Sequence, residues 1–160
     1  MENTKVKILT LVLIINQEKQ RVLLGMKKRG FGEGWWNGFG GKLKKGESIE
    51  ECAERETLEE CGLKLEKFEQ IGKMVFEFVG DPVLLDVTVF RSDEYSGELV
   101  ESEEMRPQWF NFDDVPFDKM WPDDHLWYPY LFKNQKFTAK YLFEGHEKIL
   151  KHDIKQVDSF

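Results

Sequence analysis

Cysteine is nearly absent from this 160-residue chain, which has two, Cys52 and Cys61. On one helix their spacing separates them by about 13 Å along the axis, beyond disulfide reach. Two free thiols in a reducing compartment are therefore expected. Histidine is scarce too. His125, His146 and His152 have no zinc-ligand spacing. Long apolar runs are missing, which excludes a bilayer-spanning helix. The stretch Ile8 to Ile15 follows Lys5 and Lys7 in the manner of a leader. It is short, no small-residue cleavage site follows, and polar residues 16–20 come next, so a buried strand is expected. Positive charge is in deficit: 23 Lys and Arg against 30 Asp and Glu leave a net charge of -7. Such a chain is a poor partner for a nucleic-acid polymer, whose backbone asks for a basic face. Small phosphates are still accessible to it if metal cations stand between them and its carboxylates.

What is present reads as one globular domain over residues 1–160, with 41% hydrophobic and 33% charged residues and no linker or repeat. Aromatics reach 14%, with five Trp, which suits a site that stacks planar ligands. Thr10 to Ile15 and Arg21 to Met26 read as strands joined by a polar turn. Eight of 13 glycines fall between Gly25 and Gly46, which marks a loop with close backbone approach. A helix is expected from Ile49 to Cys61, stopped by Gly62. Lys73 to Val79 and Val83 to Phe90 flank Gly80-Asp81-Pro82 as a hairpin. Met105 to Phe112 reads as a strand, and Trp121 to Phe132 as a helix with Pro122 in its first turn. Phe137 to Phe143 and Ile149 to Val157 close the chain as strands. The sum is an α+β domain, a mixed central sheet layered as an α/β/α sandwich.

The strongest chemical signal is residues 41–63, GKLKKGESIEECAERETLEECGL. At 100° per residue, Glu56 and Glu60 continue the apolar stripe of Ile49, Cys52 and Ala53, with Glu59 at its edge. A solvated acidic face explains Glu50, Glu51 and Glu54 but not Glu56 and Glu60. Partly buried carboxylates that close repel unless counter-charge is supplied. Arg55 supplies some. A divalent cation supplies more, and oxygen ligands suit Mg²⁺ or Mn²⁺. The glycine loop is neither a Walker A sequence, because Leu43 follows Gly41-Lys42, nor a dinucleotide fingerprint.

This segment resembles the Nudix box, G-x5-E-x7-R-E-U-x-E-E-x-G-U with U aliphatic. Gly41, Glu47, Arg55, Glu56, Glu59, Glu60, Gly62 and Leu63 match it. Thr57 departs at the first U, with the aliphatic Leu58 one residue late. The resemblance implies a Nudix fold and hydrolysis of a nucleoside diphosphate linked to a moiety X. It also implies metal ligation by Glu56, Glu59, Glu60 and the carbonyl of Gly40 or Gly41, with Glu47 and Arg55 bracing the loop and orienting Glu56. In the acidic run Glu98 to Glu104, the last residue matches a further ligand or base. Whether Glu60 or Glu104 activates the water stays open.

The box does not define X. Lys27 to Gly32, Asn37-Gly38-Phe39-Gly40-Gly41-Lys42 and Trp121-Pro122-Asp123-Asp124 resemble the animal MutT-homologue branch of the family, over roughly residues 8 to 158. That likeness implies oxidised purine nucleoside triphosphates such as 8-oxo-dGTP and 2-hydroxy-dATP as substrates, cleaved to monophosphate and pyrophosphate. Other X groups, such as a methylated purine nucleotide, a sugar nucleotide or a dinucleoside polyphosphate, are the alternative. Trp121 offers a purine a flat face, worth about 1–3 kcal/mol for a stacked base. Phe31 and Phe76 are the candidate opposite wall, and Asn37 offers both a donor and an acceptor. If buried, Asp123 and Asp124 can divide into one acid and one carboxylate. Helix capping is their plainer explanation. Thr10, Lys27, Phe39, Gly40, Gly41, Lys42, Leu85 and Pro122 complete the expected substrate contacts. Leu85 stands where the branch carries Met, and Trp35 where it carries Arg. Trp35 and Trp36 themselves read as loop packing. The whole reading is a monomeric, cytoplasmic enzyme of nuclear or mitochondrial pools as well, with no membrane partner.

Overall fold

The computed structural model describes residues 5–160. Its core is an eight-stranded mixed sheet built from β1 (Lys5–Asn16), β2 (Arg21–Lys27), β3 (Trp36–Asn37), β4 (Leu63–Phe78), β5 (Val83–Gly97), β6 (Met105–Asn111), β7 (Phe137–Glu144) and β8 (Lys148–Gln156). Two helices, α1 (Ile49–Cys61) and α2 (Asp124–Phe132), pack on it. β1 and β5 run parallel at the centre, from Lys5 against Val83 to Ile14 against Ser92. β4 is antiparallel to β5 and parallel to β7, and β8 closes that edge. On the other side β2 takes β1 and then β3 along one edge and β6 along the other.

β1 shows why its sequence is almost continuously apolar. Val12 and Ile14 pack with Ala53 and Cys61 of α1, whereas Leu13 and Ile15 pack with Trp127, Tyr128 and Leu131 of α2. A strand covered on both faces has no polar side to alternate. The Leu13 side chain alone, fully buried, contributes about 2 kcal/mol. Cys52 and Cys61 are free and buried on α1.

α1 begins at Ser48, whose hydroxyl accepts the Glu51 N–H while the Glu51 side chain accepts the Ser48 N–H. Such a cap is worth about 1 kcal/mol. The helix stops at Gly62, left-handed at φ 81°, as expected. Thr57 fills the aliphatic position of the box and is buried, its hydroxyl donating to the Ala53 carbonyl at 2.8 Å. Leu58 is exposed, so it does not replace the missing aliphatic group.

Three expectations are corrected. α2 starts at Asp124, which leaves Trp121 and Pro122 in the preceding turn. β4 extends back to Leu63, far beyond the expected Lys73. Trp36 and Asn37 form a short strand inside the glycine-rich stretch.

Candidate active site

The loop between β3 and α1 is pinned to β1 by backbone pairs. Phe39 exchanges both hydrogen bonds with Val12, and the Thr10 N–H donates to the Gly41 carbonyl at 2.9 Å. This close approach needs glycine. A Cβ on Gly40 would lie 2.0 Å from the Thr10 carbonyl oxygen, and one on Gly41 would lie 2.7 Å from the Glu56 carboxylate. The loop backbone is thereby held against the acidic face of α1.

On that face the three box acids differ sharply. Glu60 is buried at 9% exposure, the Glu56 side chain is 18% exposed and that of Glu59 is 55% exposed. The order follows the helical stripe, with Glu60 and Glu56 on it and Glu59 at its edge, turned toward solvent. Glu60 accepts the Gly40 N–H at 2.8 Å. Burial pushes its carboxyl up to about 8, against the opposing pull of that hydrogen bond, and the charge of Glu56 adds to the rise. Arg55 grips Glu47 at 2.6 and 3.0 Å and reaches Glu56 at 2.9 Å and Glu59 at 3.4 Å. Its hydrogen bond lowers Glu47 to about 2. This geometry fits the expected bracing, since Arg55 joins Glu47 of the loop to Glu56 of the helix. Glu104 lies outside the cavity described below and is held by Arg29, whose Nη2 stands 2.7 Å from it. That bond keeps its carboxyl below the usual range.

These oxygen donors fit a hard divalent cation by type and by helical spacing. The buried Glu60 carboxylate also has no cationic hydrogen-bond partner among the described residues. Among the described residues, no group of three or more His, Cys, Asp or Glu side chains already converges on one metal position. Arg55 engages Glu56 and Glu59, and Arg29 engages Glu104.

Beside Glu60 opens a cavity of about 520 Å³. It brings together Thr10, Lys27, Phe31, Asn37, Gly40, Gly41, Phe76, Leu85, Trp121, Asp123 and Asp124, eleven of the expected substrate residues. Phe39, Lys42 and Pro122 are not part of its wall. Phe39 is buried in the core under α1 because its backbone bridge to Val12 turns its ring inward, and Lys42 is exposed. Thr10 turns its hydroxyl to the Cys52 thiol at 3.4 Å. Asn37 uses its carbonyl on the Gly38 N–H at 2.8 Å, which leaves the amide as donor.

Asp123 and Asp124 are 4% and 2% exposed. Neither caps α2. Asp123 accepts the Trp127 indole N–H at 2.9 Å, and Asp124 accepts the Trp121 N–H at 2.9 Å. Burial raises both carboxyls, and the neighbouring Asp123 charge raises Asp124 further. Both carboxyls are thus displaced toward the neutral form, in which one can donate while its partner accepts.

Phe31 is not an opposite wall. It stacks on Trp121 at 5.3 Å, and Trp35 stacks there too at 5.7 Å. Trp35 thus belongs to the cavity, whereas Trp36 packs on Phe110. Sequence reasoning also missed Leu9, Met74, Phe78, Phe143 and His146 on the wall. The two-residue period of a strand could have indicated Leu9, on the face of Leu11 and Leu13, and Met74, on the face of Phe76. His146, on the β7–β8 turn against Phe31 and Phe78, had no local signal.

Residues 7–131 match the NUDIX domain model, and the chain belongs to that family of hydrolases. Hydrolases of this family generally use divalent metal ions. Two curated relatives are similar over almost their whole length. Both are called oxidized purine nucleoside triphosphate hydrolase. The zebrafish protein (Danio rerio) is 52% identical over 95% of this chain and 96% of its own, and the mouse protein (Mus musculus) is 51% identical over 96% and 97%. Among solved structures, the mutator MutT protein of Bacillus halodurans superposes with a TM-score of 0.82 at 24% identity, covering 92% of this chain and 97% of its own, a likeness of fold. No helix of the described residues is long and apolar enough to cross a membrane.

Proposed function

We propose that this chain hydrolyses oxidised purine nucleoside triphosphates, 8-oxo-dGTP and 2-hydroxy-dATP among them, to the monophosphate and pyrophosphate, and so clears damaged precursors from the nucleotide pool. The observation that carries the reading is one cavity. It has Asp123, Asp124, Asn37 and Trp121 for a base and Glu60, Gly40 and Gly41 for a diphosphate. The names of the zebrafish and mouse relatives support the same substrate class.

The base lies against Trp121. Oxidation changes which edge atoms of a purine donate and accept. A neutral Asp124 donates, an ionised Asp123 accepts, and Asn37 adds a fixed donor. Exchange of the proton within the pair lets it read more than one damaged base. At the other end Glu56, Glu59 and Glu60 would hold Mg²⁺, or Mn²⁺ in its place, together with a loop carbonyl. Gly40 is the better carbonyl, because that of Gly41 already accepts the Thr10 N–H. The cations would orient phosphate oxygens and offset charge developing on them. Glu60, inside the cavity, is the better water-activating group than Glu104, which Arg29 engages. Lys27 supplies positive charge near both acids. We place the protein in the cytoplasm as a monomer, in keeping with its two free thiols.

Incubation with 8-oxo-dGTP and Mg²⁺, followed by product analysis, tests the reaction. The monophosphate with pyrophosphate is expected. Release of the diphosphate with orthophosphate would overturn the proposed point of cleavage.

A further inference from the structure

A second cavity, of about 260 Å³, shares no residue with the first. It opens where β4 is irregular. The β4–β5 register slips around Lys67 and again between Gln70 and Gly72, so the ladder spreads. Lys67, Arg91 and Lys136 bring three cationic side chains to its wall, joined by the polar Gln70 and Asn134. Glu69 and Asp93 are the acids there.

Arg91 is the unusual member. It is 8% exposed, in the middle of a sheet strand. It forms no salt bridge among the described residues, and its one hydrogen bond runs from Nη2 to the neutral Gln17 side chain at 2.6 Å. Nε and Nη1 are buried without an acceptor among the described residues. Buried guanidinium groups ordinarily find a carboxylate or another anion, because a charge removed from water without compensation is strongly disfavoured. The nearby acids do not pair with it. Glu69 is engaged by Lys136 at 3.2 Å and Glu94 by Lys67 at 4.0 Å, and the exposed Asp93 acts on Arg91 through its charge without a salt bridge or hydrogen bond. The wall therefore carries an excess of one positive charge in a protein whose net charge is -7.

We propose that this second cavity is a binding site for a compact oxyanion of the phosphate class, held by the charge of Arg91 with Lys136 and Lys67 at its mouth. The volume suits orthophosphate or pyrophosphate and is half that of the nucleotide cavity. An anion there supplies the counter-charge that the fold does not. The site stands apart from the hydrolytic reading, since the two cavities have no residue in common.

The test is an amide-resonance titration of the full chain, kept metal-free with chelator, with inorganic phosphate at constant pH and ionic strength. Pyrophosphate forms a second arm. Saturable shifts at Gln70, Ile71, Asn134 and Lys136 are expected with either anion, in the range of about 10 mM or tighter. Arg91→Gln should abolish them. Because a buried substitution can compromise folding, the half-exposed Lys136→Gln provides a second reading, with affinity reduced at least about threefold. Hydrolysis of 8-oxo-dGTP should be unchanged in Lys136→Gln. Shifts confined to Gly40 and Gly41, the absence of saturation at the four named amides, or an unaltered affinity in Lys136→Gln would each overturn the proposal.

Discussion

Replacing Asp124 with asparagine removes one of two adjoining buried carboxyls while keeping its shape, its donor and its acceptor. In the folded protein burial favours the neutral form of both acids. In the unfolded chain each titrates near 3.8. The folded state thus binds more protons than the unfolded state between those values, and stability falls as pH rises through that interval. For Asp123, raised to about 6, the interval is near two pH units, which corresponds to roughly 3 kcal/mol at 1.36 kcal/mol per unit. Asp124 is raised as well, first by its own burial and then by the charge of Asp123, so it contributes in the same direction. Asparagine has no such dependence, and it accepts the Trp121 N–H as the aspartate does. Denaturant midpoints of the metal-free parent and Asp124→Asn should therefore diverge with pH. The two should be close near pH 4, and the variant the more stable of the two at pH 8. Glu60 also titrates with a raised value, but it is common to both proteins and cancels in the difference. An equal pH slope in the two proteins, or a variant less stable at pH 8, would refute the assignment of a neutral Asp124.

Other consequences concern the reaction. Trp121→Ala should raise KM for 8-oxo-dGTP by about 5–150-fold, the equivalent of 1–3 kcal/mol of base stacking, with a smaller change in kcat; steady-state kinetics decide this. Arg55→Ala releases Glu47 and Glu56 together and should lower activity by about 10–100-fold, in line with loss of a group that orients metal ligands, with weaker metal binding in a parallel titration. Glu60→Gln should reduce kcat by at least about 100-fold and leave nucleotide binding in place, whereas Glu104→Gln should cost less. Equal losses in the two variants would remove the preference for Glu60. In Gly41→Ala the new methyl group meets the Glu56 carboxylate, so turnover should fall more than thermal stability does.

Much of this architecture could be read from residue order, for identifiable reasons. β1 was legible because a strand covered by a helix on each face is apolar throughout. α1 was legible because its acids, cap and terminal glycine follow one helical period. The first half of β4 was not. Its two-residue alternation breaks at the bulges around Lys67, so the pattern there does not resemble a strand. Pro122 and two acids imitate a first turn and so suggest a start of α2 three residues early, whereas bonds to Trp121 and Trp127 use those acids instead. The grip of Arg29 on Glu104 and the stacking of Trp35 on Trp121 join segments that only the folded sheet brings together. The exposure of Glu59 and Leu58 depends on how far α1 is rotated over the sheet, which spacing alone leaves loose by a few tens of degrees.

Competition between 8-oxo-dGTP and dGTP in one reaction, with kcat/KM read for each, bears on the whole construction at once. The joining of a proton-sensing base pocket to the Glu60 end of the cavity predicts a preference of at least about tenfold for the oxidised nucleotide. Equal consumption of the two would contradict it.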